Sequence, residues 1–293
     1  MCGRYASARK RIELLEEFSV QRDKVAEPLE PDYNVAPTKP VYAVMTRERR
    51  DDRAGDDRAG DQPAGANDHP GAVRELRVIR WGLVPFWAKD IAIGSRLINA
   101  RAETVSEKPA FRHAFAKRRC LLPADGYYEW MKLEGPQGQN GAVQEGRPAK
   151  AVAKQPYYIT KKDGSSLAFA GLYELWRDKA VPDGDPDAWL WSATIITTSA
   201  PDELGKIHDR MPMVIDRDRW ADWLDPASTD PSELRLLMVP ATASGLTTFP
   251  VSKAVNSVRN NGPRLIEPVE AGLLAPLAPA SASGSSGSAD ALF

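Results

Sequence analysis

Leu121-Leu122-Pro123-Ala124-Asp125-Gly126-Tyr127-Tyr128-Glu129-Trp130 lies in the densest part of the sequence. Asp-Gly is a turn-forming dipeptide, so the stretch reads as two short strands around an Asp-Gly turn. Downstream, Tyr157-Tyr158-Ile159, an Asp163-Gly164 turn and Leu167 to Tyr173 give a strong hairpin signal, and Trp189 to Thr198 reads as a further long strand. Upstream, Val41 to Met45 and Leu76 to Trp81 have the same strand character. Three amphipathic segments interrupt these strands. Ala8 to Ser19 places Ile12, Leu15 and Phe18 near one helical face, Pro109 to Arg118 carries Phe111 and Phe115 inward, and Arg217 to Leu224 puts Trp220 and Trp223 on one side. Strands joined mainly by hairpins, without regular βαβ crossovers, predict an α+β fold: a single domain with a largely antiparallel, barrel-like β core flanked by helices.

That domain is expected to span 1–268. Within it, 47–72 switches to Asp, Arg, Gly, Ala and Pro, with Asp51-Asp52-Arg53-Ala54-Gly55 followed by Asp56-Asp57-Arg58-Ala59-Gly60. With so few apolar side chains it cannot offset its own ordering entropy, so a disordered hairpin insertion containing His69 is predicted. The polar segment 134–154 is expected to behave likewise, and 269–293, Ala/Ser/Gly-rich from Ala275, to be a flexible tail. A formal net charge of −1 leaves no global basic footprint, so nucleic-acid binding would need a local arginine cluster. No apolar run approaches the ~20 residues of a membrane span and the N-terminus lacks an apolar signal region, so a cytoplasmic protein without membrane contact is expected. Two cysteines and three histidines, with no two-histidine motif at ligand spacing, leave no material for a disulfide framework or a metal site. No metal and no cofactor is expected.

Met1-Cys2-Gly3-Arg4-Tyr5 is chemically distinctive. Were Met1 removed, residue 2 would carry an α-amine of pKa near ~8 beside a thiol near ~8.5, two nucleophiles available at neutral pH that condense with an aldehyde to a thiazolidine. An incidental cysteine on a frayed terminus is the alternative. Cys120, inside an apolar run, reads as an inert buried thiol. Glu129, between Tyr128 and Trp130, would have its charged form disfavoured by burial and its pKa raised toward proton transfer, unless it points outward or pairs with an arginine. His208 precedes Asp209-Arg210 at the entrance to a strand, and Asn99 follows Ile98; each has a structural alternative. Asn34, in a proline-interrupted loop, reads first as a turn former. In Trp81-Gly82-Leu83-Val84-Pro85-Phe86-Trp87 a loop position favours exposure of one ring for stacking.

Six motifs in order carry more than their parts: Met1-Cys2-Gly3-Arg4-Tyr5, Tyr33-Asn34-Val35-Ala36-Pro37, Trp81-Gly82-Leu83-Val84-Pro85, Ile98-Asn99-Ala100-Arg101-Ala102-Glu103, Ala124 to Trp130, and Ile207-His208-Asp209-Arg210-Met211-Pro212. From Met1 to about Pro268 the chain resembles the SOS response-associated peptidase family, whose members crosslink to abasic sites in single-stranded DNA. The resemblance implies that Met1 is removed by the protein itself and that Cys2 attacks the ring-opened abasic aldehyde, giving a Schiff base and then a thiazolidine. It assigns Asn99, Glu129 and His208 to the catalytic site with Cys2. Arg4, Asn34, Arg101 and Arg210 become contacts to DNA, with Trp87 or Trp130 offering a face to a base. The partner implied is single-stranded DNA containing abasic sites, bound by a monomer. Two other classes stay open: a cysteine peptidase acting on other proteins through Cys2, His208 and Asn99, and a non-covalent single-strand binder.

Overall fold

The structure, a computed structural model, describes residues 2–48, 71–133, 154–182, 184–240 and 245–269. Its first half runs β1 (Tyr5–Ser7), α1 (Arg11–Glu17), β2 (Arg22–Asp23), β3 (Asp32–Val35), β4 (Pro40–Glu48), β5 (Ala72–Trp81), β6 (Asn99–Arg101), α2 (Arg112–Lys117), β7 (Arg119–Ala124) and β8 (Gly126–Lys132). The second half adds β9 (Lys154–Lys161), β10 (Leu167–Arg177), β11 (Trp189–Ser199), α3 (Asp202–Gly205), β12 (Arg210–Pro212), α4 (Trp220–Leu224), α5 (Pro231–Leu237) and β13 (Leu246–Pro250).

Side-chain alternation decides the inside. Val41, Ala43 and Met45 on β4 share one cluster with Ile79 and Trp81 on β5, Cys120 and Leu122 on β7, Phe169 on β10, and Ala193 and Ile195 on β11. The intervening residues Tyr42, Val44, Leu76, Leu121, Ala168, Ala170 and Ile196 are buried in a second cluster with Phe115, Trp220, Trp223 and Leu234 from the helices. A sheet apolar on both faces must be covered on both. It achieves this by closing: β11, β10, β7, β4 and β5 are neighbours in that order, and a parallel pairing of β11 with β5, Ser192 to Arg80 and Ala193 to Trp81, completes a barrel. The α+β, largely antiparallel barrel expected from sequence is the observed fold. A five-stranded sheet, β13-β9-β8-β1-β3, packs against it. One face gives Cys2, Tyr5, Val35, Tyr127 and Ile159 to the barrel cluster. The other, with Ala6, Tyr128 and Tyr158, is covered by Val251, Val255 and Leu265.

The expected Asp163-Gly164 hairpin is a corner between sheets, and so is the Asp125-Gly126 turn between its two short strands. β7 and β8 flank Asp125, but β7 pairs with β10 and β4 while β8 pairs with β1 and β9. Likewise β9 pairs with β8 and β13, and β10 with β7 and β11, so the hairpin expected around Asp163-Gly164 does not form. A turn dipeptide specifies that the chain bends; the partner strand is set by which apolar face must be covered. Here the chain passes twice between barrel and sheet, and a polar brace holds the crossings. Asp125 Oδ2 accepts the Ala8 N–H at 2.6 Å, Arg9 Nε lies 3.2 Å from Asp125 Oδ1, and Glu17 accepts from Ser166 N at 2.8 Å and Ser166 Oγ at 2.6 Å. Gly126 has to be glycine, since a Cβ there would sit 2.4 Å from the Tyr158 ring and 2.6 Å from the Ile159 carbonyl oxygen.

The first helix is shorter than 8–19 and turned differently. Leu14 within it and Phe18 at its C-cap are buried, whereas Ile12 is 67% exposed. Residues 14 and 18 stand one turn apart over the barrel, and Phe18 stacks on Trp220 with ring centroids 4.3 Å apart. Phe111 and Phe115, and Trp220 and Trp223, are buried as expected. Arg119 ties α2 and α4 to the barrel by donating to the carbonyls of Phe115, Ala116, Trp223, Asp225 and Ser228. Burial lowers its pKa to about 10, so it remains charged at neutral pH, solvated by carbonyl dipoles. β4 and β5 pair as far as Glu48 with Ala72, and β9 begins at Lys154, so the ends of both polar insertions belong to strands. Their interiors, and the tail beyond residue 269, lie outside the described residues.

Candidate nucleophile site at the sheet–barrel seam

Cys2 precedes β1 and is fully buried between sheet and barrel. From sequence its thiol reads as a nucleophile available near neutral pH; burial instead pushes its pKa far up, the Glu129 charge adds to this, and the Arg4 backbone N–H opposes it only in part. The sulfur is a neutral S–H. Its reactivity toward an electrophile depends on a partner that takes its proton.

Asn99 begins β6, which lies parallel to β11 with Asn99 opposite Ile195. Its Nδ2 donates to the Cys2 carbonyl at 2.8 Å, tying the start of the chain to the barrel. Its Oδ1 is buried with no hydrogen-bond partner among the described residues, which leaves an acceptor at the seam. Glu129 stands on β8 opposite Tyr157 and is only 4% exposed. Burial raises its pKa to about 8, as the flanking Tyr128 and Trp130 predict, so the carboxyl is mostly protonated at neutral pH.

His208 lies between α3 and β12. The Arg210 backbone N–H donates to its Nδ1 at 3.0 Å, which puts the ring proton of the neutral form on Nε2. Burial lowers its pKa despite the Asp209 carboxylate 2.9 Å away, which is too exposed to hold the proton. The charges of Asp209 and Lys154 act on both Glu129 and His208, so these two groups share one electrostatic neighbourhood. Cys2 and Glu129 come from the sheet, and Asn99 and His208 from the barrel side. The seam thus collects a neutral thiol, a protonated carboxyl, an amide and a neutral imidazole.

The expected DNA contacts separate into exposed and committed groups. Trp87 is 50% exposed beside Phe86, which is 56% exposed. Their loop is anchored where Gly82 N donates to the Ala193 carbonyl and Leu83 N to the Leu97 carbonyl, two residues before Asn99. Gly82 has φ +120°, and a Cβ there would meet the Gly94 carbonyl oxygen at 2.6 Å, so glycine permits the tight fold that turns these rings outward. Arg101 is exposed at the end of β6. Trp130 is partly buried, with Nε1 donating to Asn256 Oδ1 at 2.7 Å and the Arg4 guanidinium 5.8 Å from its ring centroid.

Asn34 is neither a turn former nor placed to touch DNA. It lies on β3, is 0% exposed, donates to the Ser257 and Asn260 carbonyls at 2.9 Å each, and accepts Arg4 Nη1 at 2.7 Å. Its Nδ2 is used on those carbonyls and its Oδ1 holds Arg4, whose Nη1 also reaches the Val255 carbonyl at 2.9 Å. Arg210 is likewise engaged, with Nη1 and Nη2 both on the Glu103 carboxylate. Neither Glu103 nor Asn256 was singled out as a site residue from sequence. Glu103 stands inside the Asn99 motif, but its partner is 107 residues away.

A family model described as SOS response associated peptidase (SRAP) matches residues 1–258, which include Cys2, Asn99, Glu129 and His208. The chain is 37% identical over 267 residues to the abasic site processing protein YoqW of Bacillus subtilis (strain 168), covering 91% of this chain and 99% of that protein. Over 229 residues it is 31% identical to the abasic site processing protein HMCES of Gallus gallus, covering 70% of this chain and 61% of that one. A crystal structure of a Bacteroides thetaiotaomicron protein superposes with a TM-score of 0.66 at 25% identity, over 92% of this chain and 100% of the other. With a match that spans the barrel, the sheet and the seam between them, the chain belongs to the SOS response associated peptidase (SRAP) family.

Proposed function

We propose that the protein processes abasic sites in single-stranded DNA by forming a covalent bond to them through Cys2. Met1, which lies outside the described residues, is removed first by the protein's own peptidase activity, and this frees the Cys2 amine. The amine attacks C1′ of the ring-opened deoxyribose, and water leaves the carbinolamine to give a Schiff base. The thiol then adds to the protonated C=N: a C–S bond forms at C1′ as the thiol proton passes to the Glu129 carboxylate, the C=N π pair goes to nitrogen, which keeps its proton, and a thiazolidine closes. The linkage shields the lesion, and the balance is adduct plus one water.

The observation that carries this reading is the Asn99 amide holding the Cys2 carbonyl at 2.8 Å beside a Glu129 carboxyl of pKa about 8. A mostly protonated Glu129 donates to the departing carbinolamine oxygen and afterwards takes the thiol proton, the two demands on one group with a pKa near ambient pH. Neutral His208 assists ring opening of the sugar. A cysteine peptidase acting on other proteins gains less support. Its thiol would need a lowered pKa, and its asparagine would orient the histidine, whereas here burial raises the thiol and Asn99 binds the Cys2 carbonyl. A single strand suits an aldehyde that must reach a buried nucleophile, since a stacked duplex resists that approach.

Intact mass spectrometry after incubation with an abasic oligonucleotide tests the proposal. The expected species lacks Met1 and is heavier by the oligonucleotide minus water, and Cys2→Ala yields none. An undiminished adduct in Cys2→Ala would overturn the chemistry; tight binding without an adduct in the wild type would favour a non-covalent binder.

A further inference from the structure

Glu103 follows β6 and has no role in the chemistry above, yet it makes the closest ion pair near His208. Both its oxygens meet Arg210, one of them 3.0 Å from Nη2, and this bond holds the Glu103 carboxyl below the usual carboxylate range. The two partners are unequally fixed. Arg210 is 15% exposed, and its Nη2 also donates to the Thr197 carbonyl at 2.6 Å, with Thr197 Oγ1 at 3.3 Å. Glu103 is 50% exposed, so on release its carboxylate returns to water at little cost. The guanidinium fork matches a carboxylate and a phosphate equally well, which makes the two interchangeable at one seat.

We propose that Glu103 occupies the phosphate seat of Arg210 when no DNA is bound, so that docking of a single strand exchanges a carboxylate for a phosphodiester at the same guanidinium. The exchange rests on the reading of the protein as a single-strand binder with Arg210 as a phosphate contact. It sharpens that reading: Arg210 stays pre-oriented without DNA, and Glu103 sets how readily an undamaged strand is retained. A strand that cannot displace Glu103 leaves Arg210 neutralised and is released.

The test uses the full chain and an undamaged fluorescein-labelled oligothymidylate, which has no aldehyde to trap, with binding read by fluorescence anisotropy at fixed salt. Glu103→Gln is expected to bind about two- to five-fold more tightly, the range that exposed ion pairs span. In an Arg210→Ala background the same substitution is expected to change binding by less than about two-fold. Equal gains in both backgrounds would reduce Glu103 to long-range repulsion and overturn the exchange, as would no gain or a loss in Glu103→Gln. Should Glu103→Gln melt early, Glu103→Thr carries the same expectation. A wild type that binds the strand and forms the abasic adduct while both variants show no gain overturns the exchange alone; a wild type with neither overturns the underlying function as well.

Discussion

Asp125 and Glu129 stand on the same short stretch, and burial raises the pKa of both, yet their surroundings differ. Asp125 has a partner at each oxygen, the Ala8 N–H donating to one and the Arg9 guanidinium forming an ion pair with the other, and Thr160 Oγ1 donates to its backbone carbonyl. Glu129 acts on the Cys2 thiol, with a pKa of about 8 that leaves a proton exchangeable near neutrality. Desolvation alone therefore does not make a carboxyl catalytic. The partners decide, and they separate a corner brace from the proposed proton carrier within one strand and its turn.

The largest effect expected is on rate. Glu129→Gln should slow thiazolidine formation about a hundred-fold or more, the usual worth of a positioned acid–base group, while Asp125→Asn leaves the rate of the folded protein unchanged. Gel-shift time courses under denaturing conditions compare the two, and similar slowing by both would erase the distinction. On stability the order reverses. Gly126→Ala, whose Cβ would meet the Ile159 carbonyl oxygen at 2.6 Å, and Asp125→Asn, which leaves an amide facing Arg9, should each cost about 1–3 kcal/mol in urea unfolding.

The pH dependence of stability separates the carboxyls further. Between the ordinary value of 4.5 and its folded value of about 8, Glu129 keeps in the folded state a proton that the unfolded chain has released. Wild-type stability should therefore fall relative to Glu129→Gln as pH rises from 4.5 to 8 and level off above, seen in unfolding midpoints at each pH. A flat difference would mean the carboxyl is not held protonated. Smallest is Thr160→Val, which deletes one hydrogen bond to the Asp125 carbonyl and should cost about 1 kcal/mol with no change in adduct rate.

The fold class was legible because strand periodicity and helix faces are local: Val41 to Met45 and Phe111 with Phe115 carry their burial in their spacing. Pairing was not. Asp163-Gly164 is a real turn, with Gly164 at φ +72° and Asp163 Oδ1 accepting Ser165 N, but nothing in a turn states that its two strands enter different sheets. Ile12 shows the same limit on a helix, because the direction of a seven-residue helix is set by Trp220, on which Phe18 stacks. At the site, residue identity and burial were readable for Glu129 between two aromatics. The duty of Asn34 was not, because its partners Ser257 and Asn260 lie 223 and 226 residues downstream.

The Val255 carbonyl that holds Arg4 has a consequence for the time order of assembly. Arg4 and its acceptor are 251 residues apart, so a ribosome adding about 5–20 residues per second completes the contact tens of seconds after Cys2 is made. Early in that interval β1 lacks β8, one of its two sheet partners, while the other, β3, is already made. Cys2 is made well before Tyr127, Phe169 and Ile195, with which it is buried in the barrel cluster, leaving a window in which the aldehydes and oxidants of the cell meet an unburied thiol.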